Sequence, residues 1–278
     1  MADADDGRAE IAVIGGSGFY TFLDAAVEVP VRTPWGEPSE PPLVGWVGDR
    51  RVAFLPRHGR DHRFPPHRIN YRANLWALHS LGVRQVLAPC AVGSLRPELG
   101  PGTVVVPDQL VDRTSGRPQT YFDTSAVHVS FADPYCPRIR ATVLKAGAEA
   151  GLNPVDGGTM VVIEGSRFST RAESRWYAAQ GWSLVNMTGY PEAVLARELG
   201  LCYTPAALVT DLDAGVDADT AVTHEEVLRV FAENVDRLRA LLGVVVSSLA
   251  TRRDCPCAGA VPQGAAQVGE PPDALSGQ

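Results

Sequence analysis

Short apolar runs of strand length alternate along the chain with stretches in which apolar residues recur at helical spacing. Leu75, Leu78 and Leu81 show that spacing, and Gly151 and Gly181 end two helical stretches. Strands that alternate with helices predict an α/β fold with a mainly parallel sheet. The predicted strands are residues 11–14, 52–55, 85–88, 103–106, 159–163, 184–187 and 206–209, and the predicted helices are 70–81, 137–150, 171–180, 192–199 and 224–249.

The pattern runs from about residue 8 to residue 250, and we interpret residues 8–250 as one domain. Residues 251–278 are rich in Pro, Gly, Ala and Gln, which predicts a mobile C-terminal tail. Residues 32–42 and 107–135 have little regular pattern. Long irregular loops in a compact domain are often functional.

Charge and composition restrict the classes of function. The net charge of −7 argues against a general nucleic-acid binder, because a phosphate backbone requires a basic face. The acidic N-terminus is unlike a signal peptide, and no apolar run approaches the roughly 20 residues that span a bilayer. Five cysteines do not form an even disulfide framework. We therefore expect a cytoplasmic protein that contacts neither membrane nor nucleic acid.

The first predicted strand ends in a glycine-rich turn at residues 15–18. Its glycines allow backbone N–H groups to approach an anion, and Ser17 adds a hydroxyl donor. A tight strand-end turn without function is equally compatible. A dinucleotide-binding oxidoreductase is disfavoured, because Thr21 stands where that motif needs its third glycine.

A basic run follows the strand that ends at residue 55. Arg57 and His58 come first, and Arg60 and His62 follow. Ligands of α/β proteins bind at the carboxyl ends of strands, and arginine can donate two hydrogen bonds at once to phosphate. The alternative is a solvated basic loop. The histidines lack a matching carboxylate or cysteine set at ligand spacing, so no metal site is predicted.

A strand-to-helix junction lies at residues 186–192. Thr188 offers a hydroxyl, and the helix that begins with Pro191 presents an N-terminus that favours an anion. An ordinary helix-capping turn would have the same sequence. Met187 is of a type more often found in a core than facing a ligand.

Two carboxylates follow the last predicted strand. Asp211 and Asp213 point the same way if the backbone is extended. Close carboxylates raise one another's pKa, so one can stay protonated and donate while the other accepts. A purine with a ring nitrogen and an exocyclic amine fits such a pair. The competing interpretation is a solvated acidic turn.

Together these segments resemble the methylthioadenosine phosphorylase branch of the trimeric purine nucleoside phosphorylase family. The similarity covers roughly residues 11–250, nearly the whole chain. The matching segments are VIGGSGF, RHGRDH, INYRANLWAL, GSLRPELGPG, DQLVDRTSGRPQTYFD, VVIEGSRFSTRAES, NMTGYPEAVLARELGLCY and VTDLDAG.

The resemblance implies a single α/β domain whose mixed, partly closed sheet is flanked by helices, assembled as a homotrimer. It implies catalysis by Asp211 and Asp213, with Ser169 also typical of the adenine-specific branch. The implied phosphate-binding residues are Ser17, Arg57, His58, Ala91 and Thr188, and the implied nucleoside-binding residues are Phe168, Ser169, Met187, His224, Val227 and, from a neighbouring subunit, His128.

Several positions depart from the family pattern. Cys90 replaces a frequent Thr, and Ser166 replaces a usual Pro. Gly189 and Tyr190 replace Thr-Val. His224 stands where enzymes specific for methylthioadenosine often carry an apolar residue and true nucleoside phosphorylases carry a histidine.

The expected function is therefore that of an S-methyl-5'-thioadenosine phosphorylase, which needs inorganic phosphate as co-substrate and no other cofactor. Adenosine, another 5'-substituted adenosine or a 6-oxopurine nucleoside is the alternative substrate, and a nucleoside-binding protein without catalysis is a further alternative. Cys255 and Cys257 resemble a CxC disulfide of heat-stable relatives, although two free thiols are expected of a cytosolic tail.

Overall fold

The computed structural model describes residues 7–16, 22–216 and 222–261. The strands are β1 (Ile11–Gly15), β2 (Asp24–Glu28), β3 (Leu43–Val47), β4 (Arg50–Pro56), β5 (Gln85–Ser94), β6 (Val104–Val106), β7 (Gln109–Arg113), β8 (Val155–Asp156), β9 (Thr159–Ile163), β10 (Leu184–Asn186) and β11 (Cys202–Leu212). The helices are α1 (Tyr71–Ser80), α2 (Pro137–Glu149), α3 (Arg171–Ala179), α4 (Gly189–Glu198) and α5 (His224–Ser248), with 3₁₀ turns at Pro66–Arg68 and Pro256–Gly259.

The strands form one mixed sheet that branches at β5. One path runs in the order β2-β3-β4-β1-β5-β10-β9-β7. On the other path β5 pairs in parallel with β11, which pairs antiparallel with β6. Strands β1, β4, β5 and β11 are parallel neighbours, so their carboxyl ends converge at one edge. This is the edge at which ligands of α/β proteins bind.

Helices cover both faces of the sheet. Helices α1 and α4 bury Leu75, Leu78 and Leu195 on one face. Helices α2 and α5 bury Ile139, Leu241 and other apolar side chains on the opposite face. The α/β prediction is confirmed, and the single-domain mixed sheet implied by the resemblance is observed.

Helix boundaries follow local signals that the sequence displays. At α3, Thr170 and Glu173 form a reciprocal capping box, and Gly181 follows the helix with a φ of 78°. Helix α4 begins at Gly189, three residues before the predicted range 192–199, but Tyr190 is non-helical and the regular turns start at Pro191.

Strand predictions were less complete than helix predictions. Strands β2, β3, β7 and β8 were not predicted, and β2 and β7 are the two ends of the first path through the sheet. In β2 the apolar residues are consecutive and do not alternate with polar ones, and all five residues are exposed, so the periodicity of a half-buried strand is absent. Strand β11 is longer than predicted at both ends, because it starts at Cys202 and continues through the polar residues Thr210 and Asp211.

The packed structure continues past residue 250. Cys257, in the 3₁₀ turn, is buried against the face covered by α2 and α5. Arg253 donates a hydrogen bond of 2.9 Å to the Gly200 carbonyl. The expected mobile tail therefore has a packed first part, and residues 262–278 lie outside the described residues. None of the helices in the described part of the chain is both long and apolar enough to span a bilayer.

Candidate active site

A cavity of about 520 Å³ opens at the edge where the parallel strands end. It gathers most of the residues predicted from separate motifs. Ser17 lies outside the described residues, and His128 is exposed and does not line the cavity. The predicted residues that line it are Arg57, His58, Ala91, Phe168, Ser169, Met187, Thr188, Asp211, Asp213, His224 and Val227.

The two aspartates lie side by side at one end of this cavity. A register shift after Val209 marks a bulge that lets β11 continue through Asp211. A Cβ placed on Gly93 would lie 3.0 Å from Oδ1 of Asp211 and 3.4 Å from Oδ1 of Asp213. Both carboxylates therefore pack over the same glycine, as predicted for an extended backbone.

Burial favours the protonated form of both carboxyl groups. Burial, together with the charge of Asp213, raises the pKa of Asp211 to about 6. The Thr210 hydroxyl, which donates a hydrogen bond of 2.8 Å to Oδ2 of Asp211, partly opposes this increase. Burial also raises the pKa of Asp213, against the effect of the Ser174 hydroxyl. Asp211 can therefore carry a proton close to neutral pH.

Three buried polar atoms at this end have no hydrogen-bond partner among the residues that the structure describes. They are Oδ1 of Asp211, Oδ2 of Asp213 and Oγ of Ser169. Leaving such atoms unpaired costs about 1–3 kcal/mol each. Their convergence in a cavity indicates a ligand that presents both donors and acceptors.

Four hydrogen bonds hold the Arg57 guanidinium in place at the cavity wall. Its Nε and Nη2 donate to the two oxygens of Glu192 at 2.7 and 2.8 Å. Nη2 also donates to the Ile14 carbonyl, and Nη1 donates to the Pro89 carbonyl. One N–H of Nη1 remains. The expected two-pronged contact of Arg57 with phosphate is therefore wrong in this geometry, because Glu192 occupies that face of the guanidinium.

His58 is neutral in this environment. Its Nδ1 lies 2.9 Å from the Phe64 carbonyl, so Nδ1 carries the proton and Nε2 is an acceptor. Burial, together with the charge of Arg57, lowers the pKa of His58 to about 3, although the hydrogen bond to the Phe64 carbonyl partly opposes the shift. The ring stacks on that of His62, with 4.2 Å between centroids.

Thr188 lines the same cavity, and Asn186 orders its turn. Oδ1 of Asn186 accepts from the backbone N–H groups of Thr188 and Gly189 at 2.8 and 2.7 Å. These two N–H groups are therefore not available to an anion, contrary to the helix-N-terminus interpretation. The Thr188 hydroxyl is 3.5 Å from Asn186 Oδ1 and can turn toward the cavity.

The mouth of the cavity is mostly apolar. The first turns of α5 contribute Val227, Leu228 and Phe231, and Leu228 is 49% exposed. His224 is exposed at the start of the same helix, and His62 faces the mouth from the basic loop. A substituent at this end would meet both hydrocarbon and imidazole groups.

Sequence reasoning missed two residues that organise the site. Glu192 orients Arg57, and Asn186 holds the Thr188 turn and donates to the Ala91 carbonyl at 3.1 Å. Both were visible in the motif at residues 186–192. A buried glutamate in the first turn of an apolar helix signals a buried basic partner.

Comparison with known proteins agrees with this geometry. The profile of the Phosphorylase superfamily matches residues 10–247. The chain belongs to this superfamily. It is 64% identical over 265 residues to a purine nucleoside phosphorylase of Streptomyces coelicolor, covering 91% of this chain and 95% of the relative.

Other relatives point to the branch that the motifs indicated. An S-methyl-5'-thioadenosine phosphorylase of Mycolicibacterium smegmatis is 61% identical, covering 88% of this chain and 93% of the relative. The structure of a Schistosoma mansoni methylthioadenosine phosphorylase in complex with adenine superposes with a TM-score of 0.81 at 37% identity, covering 86% of this chain and 91% of that one. This superfamily member is a nucleoside phosphorylase, a pentosyltransferase, as the resemblance implied.

Proposed function

We propose that this phosphorylase cleaves S-methyl-5'-thioadenosine with inorganic phosphate, giving adenine and 5-methylthio-ribose 1-phosphate. The observation that carries the proposal is the group of unpaired buried atoms on Asp211, Asp213 and Ser169. Adenine offers them a ring nitrogen and an exocyclic amine. The same three residue types occur in the adenine-specific branch.

The proposed reaction breaks the bond between C1' and N9 of the nucleoside. Positive charge builds on the ribose while a phosphate oxygen attacks C1' from the opposite face. The bonding electrons pass to the purine, whose N7 takes the proton of Asp211. Asp213 accepts from the exocyclic amine. Both contacts form in a largely buried region, where they are stronger than in water.

We propose that phosphate binds between Arg57, His58, Ala91 and Thr188, with Ser17 contributing its hydroxyl. Arg57 offers one directed N–H and a fixed positive charge. Neutral His58 accepts the hydrogen of monohydrogen phosphate at Nε2. Holding the nucleophile in line in this way can contribute several kcal/mol to the rate. No metal or organic cofactor takes part in the proposed chemistry.

The ribose is proposed to lie over Met187, with its 5' substituent at the mouth and the purine against Phe168. Val227, Leu228 and Phe231 would enclose a methylthio group. His224 favours the alternative substrate, adenosine, because an imidazole can hydrogen-bond a 5'-hydroxyl. The apolar side chains outnumber the polar ones at this end, and methylthioadenosine remains the first choice.

We further propose a cytoplasmic homotrimer in which His128 of a neighbouring copy closes the nucleoside pocket. His128 is exposed and outside the cavity of its own chain, which is compatible with a contact across an interface. The free cysteines suit a reducing compartment. The molar mass in solution, measured by light scattering, tests the trimer.

A substrate panel tests the proposed function. Methylthioadenosine, adenosine, a 5'-halo-adenosine and inosine are each incubated with the enzyme, with and without phosphate, and released base is measured by chromatography. Phosphate-dependent adenine release, fastest from methylthioadenosine, is expected. Faster release from adenosine would select the alternative, release from inosine alone would remove the adenine assignment, and binding without release would indicate a nucleoside-binding protein.

A further inference from the structure

Four of the five cysteines converge at the end of β11 opposite the two aspartates. Their sulfur atoms all lie within 4.8 Å of one another. Cys202 is the first residue of β11, whereas Asp211 is near its last, so the two places are about 30 Å apart. The phosphorolysis proposed above uses none of these residues. The members are Cys136, Cys202, Cys255 and Cys257.

We infer that Cys136, Cys202, Cys255 and Cys257 form a structural zinc site with four thiolate ligands. Zinc prefers tetrahedral coordination, and four sulfurs at about 2.3 Å from the ion lie about 3.8 Å from one another. The sulfurs of Cys202 and Cys255 are 3.3 Å apart. Shifts of about an ångström at most would bring the set to that geometry.

The surroundings suit a closed, negatively charged centre. Cys136, Cys202 and Cys257 are at most 1% exposed, which is typical of a structural site without a solvent position. Cys136 immediately precedes α2, whose N-terminus favours a thiolate. The positive charge of Arg138 lies close enough to Cys136 and Cys202 to interact with them and compensates part of the negative charge.

The site would attach the last described segment to the core. Cys255 and Cys257 flank Pro256 at the 3₁₀ turn, whereas Cys136 immediately precedes α2 and Cys202 is the first residue of β11. Sequence spacing predicted no metal site, because the four ligands come from three separate segments of the chain. A zinc ion bound by all four would link the chain beyond residue 250 to both elements.

Metal content of the full-length protein tests the inference. Protein purified without chelator, under reducing conditions, is analysed by mass spectrometry for metals. About one zinc per chain is expected for the wild type and for Cys90→Ser, in which the cysteine outside the cluster is changed. Cys255→Ser/Cys257→Ser is expected to lose at least nine-tenths of the zinc.

A second measurement needs no variant, in case the double variant does not fold. Co²⁺ added to chelator-treated, reduced wild-type protein is expected to give the visible absorption of a tetrahedral thiolate complex at one equivalent. If the protein contains no zinc and gives no such spectrum, the inference is overturned. Alkylation of the cysteines would then show whether they are disulfides or free thiols, and either result leaves the inference overturned. Iron in place of zinc would also overturn the assignment.

Discussion

Arg57 and Glu192 form a buried, two-pronged ion pair beneath the proposed phosphate site, with N–O distances of 2.7 and 2.8 Å. Their side chains are 3% and 1% exposed. The Tyr203 hydroxyl donates a third hydrogen bond to Glu192. The pair joins the loop after β4 to the first turn of α4, so it fixes two walls of the cavity at once.

Glu192→Gln is expected to destabilise the fold by about 3–5 kcal/mol, because it leaves the Arg57 charge buried without its counter-charge. The free energy of unfolding, measured by chemical denaturation, checks this. Glu226→Gln removes a carboxylate from the surface pair with Arg229 and serves as the control, with stability expected to stay near wild type. Equal stabilities for the two variants would contradict the assigned importance of the buried pair.

Gly93→Ala is expected to lower turnover at least about tenfold, since small misplacements of reacting groups cost rate steeply. The new Cβ would lie 3.0 Å from Oδ1 of Asp211, closer than an ordinary contact, and would displace the carboxylate. Steady-state kinetics with methylthioadenosine checks this. Gly243→Ala on α5 has open space at its Cβ, so activity is expected to be unchanged and stability to rise slightly.

The sequence predicted the sheet and the helices where apolar periodicity is strong. It also predicted correctly which strand ends carry the residues that line the cavity. It could not show the partners of Arg57, because the distance from Arg57 to Glu192 depends on how α4 packs on the sheet. The protonation of His58 depends on the Phe64 carbonyl, which no spacing rule connects to it. Strand β2 was missed because its apolar residues are consecutive and do not alternate with polar ones.

Asp211→Asn is expected to lower kcat about 100-fold or more while the KM for the nucleoside changes little, because proton donation to the leaving purine typically contributes about that factor. The preference for adenine over hypoxanthine nucleosides should weaken at the same time. Initial rates with methylthioadenosine and inosine check both effects. Unchanged turnover and base preference would exclude Asp211 as the proton donor.

Asp211→Asn is also expected to stabilise the protein at pH 8. The pKa of Asp211 is raised from 3.8 to about 6 in the fold, so its contribution to stability is present below pH 4 and is lost as pH rises through 6. Above that pH the ionised side chain costs at most about 3 kcal/mol, which the amide avoids. Tm values at pH 4 and pH 8 check this.

The control for that pH dependence is Asp236→Asn, which makes the same charge change on a side chain that is 88% exposed. Its Tm should follow the wild type at both pH values. If Asp211→Asn shifts Tm equally at pH 4 and pH 8, the stabilisation comes from another cause than the buried carboxyl group.

His224 and Val227 are expected to set the choice of 5' substituent from one face of α5. His224→Leu should raise the kcat/KM ratio of methylthioadenosine over adenosine about 10-fold or more, because it removes a partner for the hydroxyl and adds hydrocarbon beside the thioether. Val227→Ser should lower the same ratio. Glu225→Gln, on the neighbouring exposed position, is the control and should leave it unchanged. If none of these variants alters the ratio, the 5' group does not lie against α5, and the orientation proposed for the ribose is wrong.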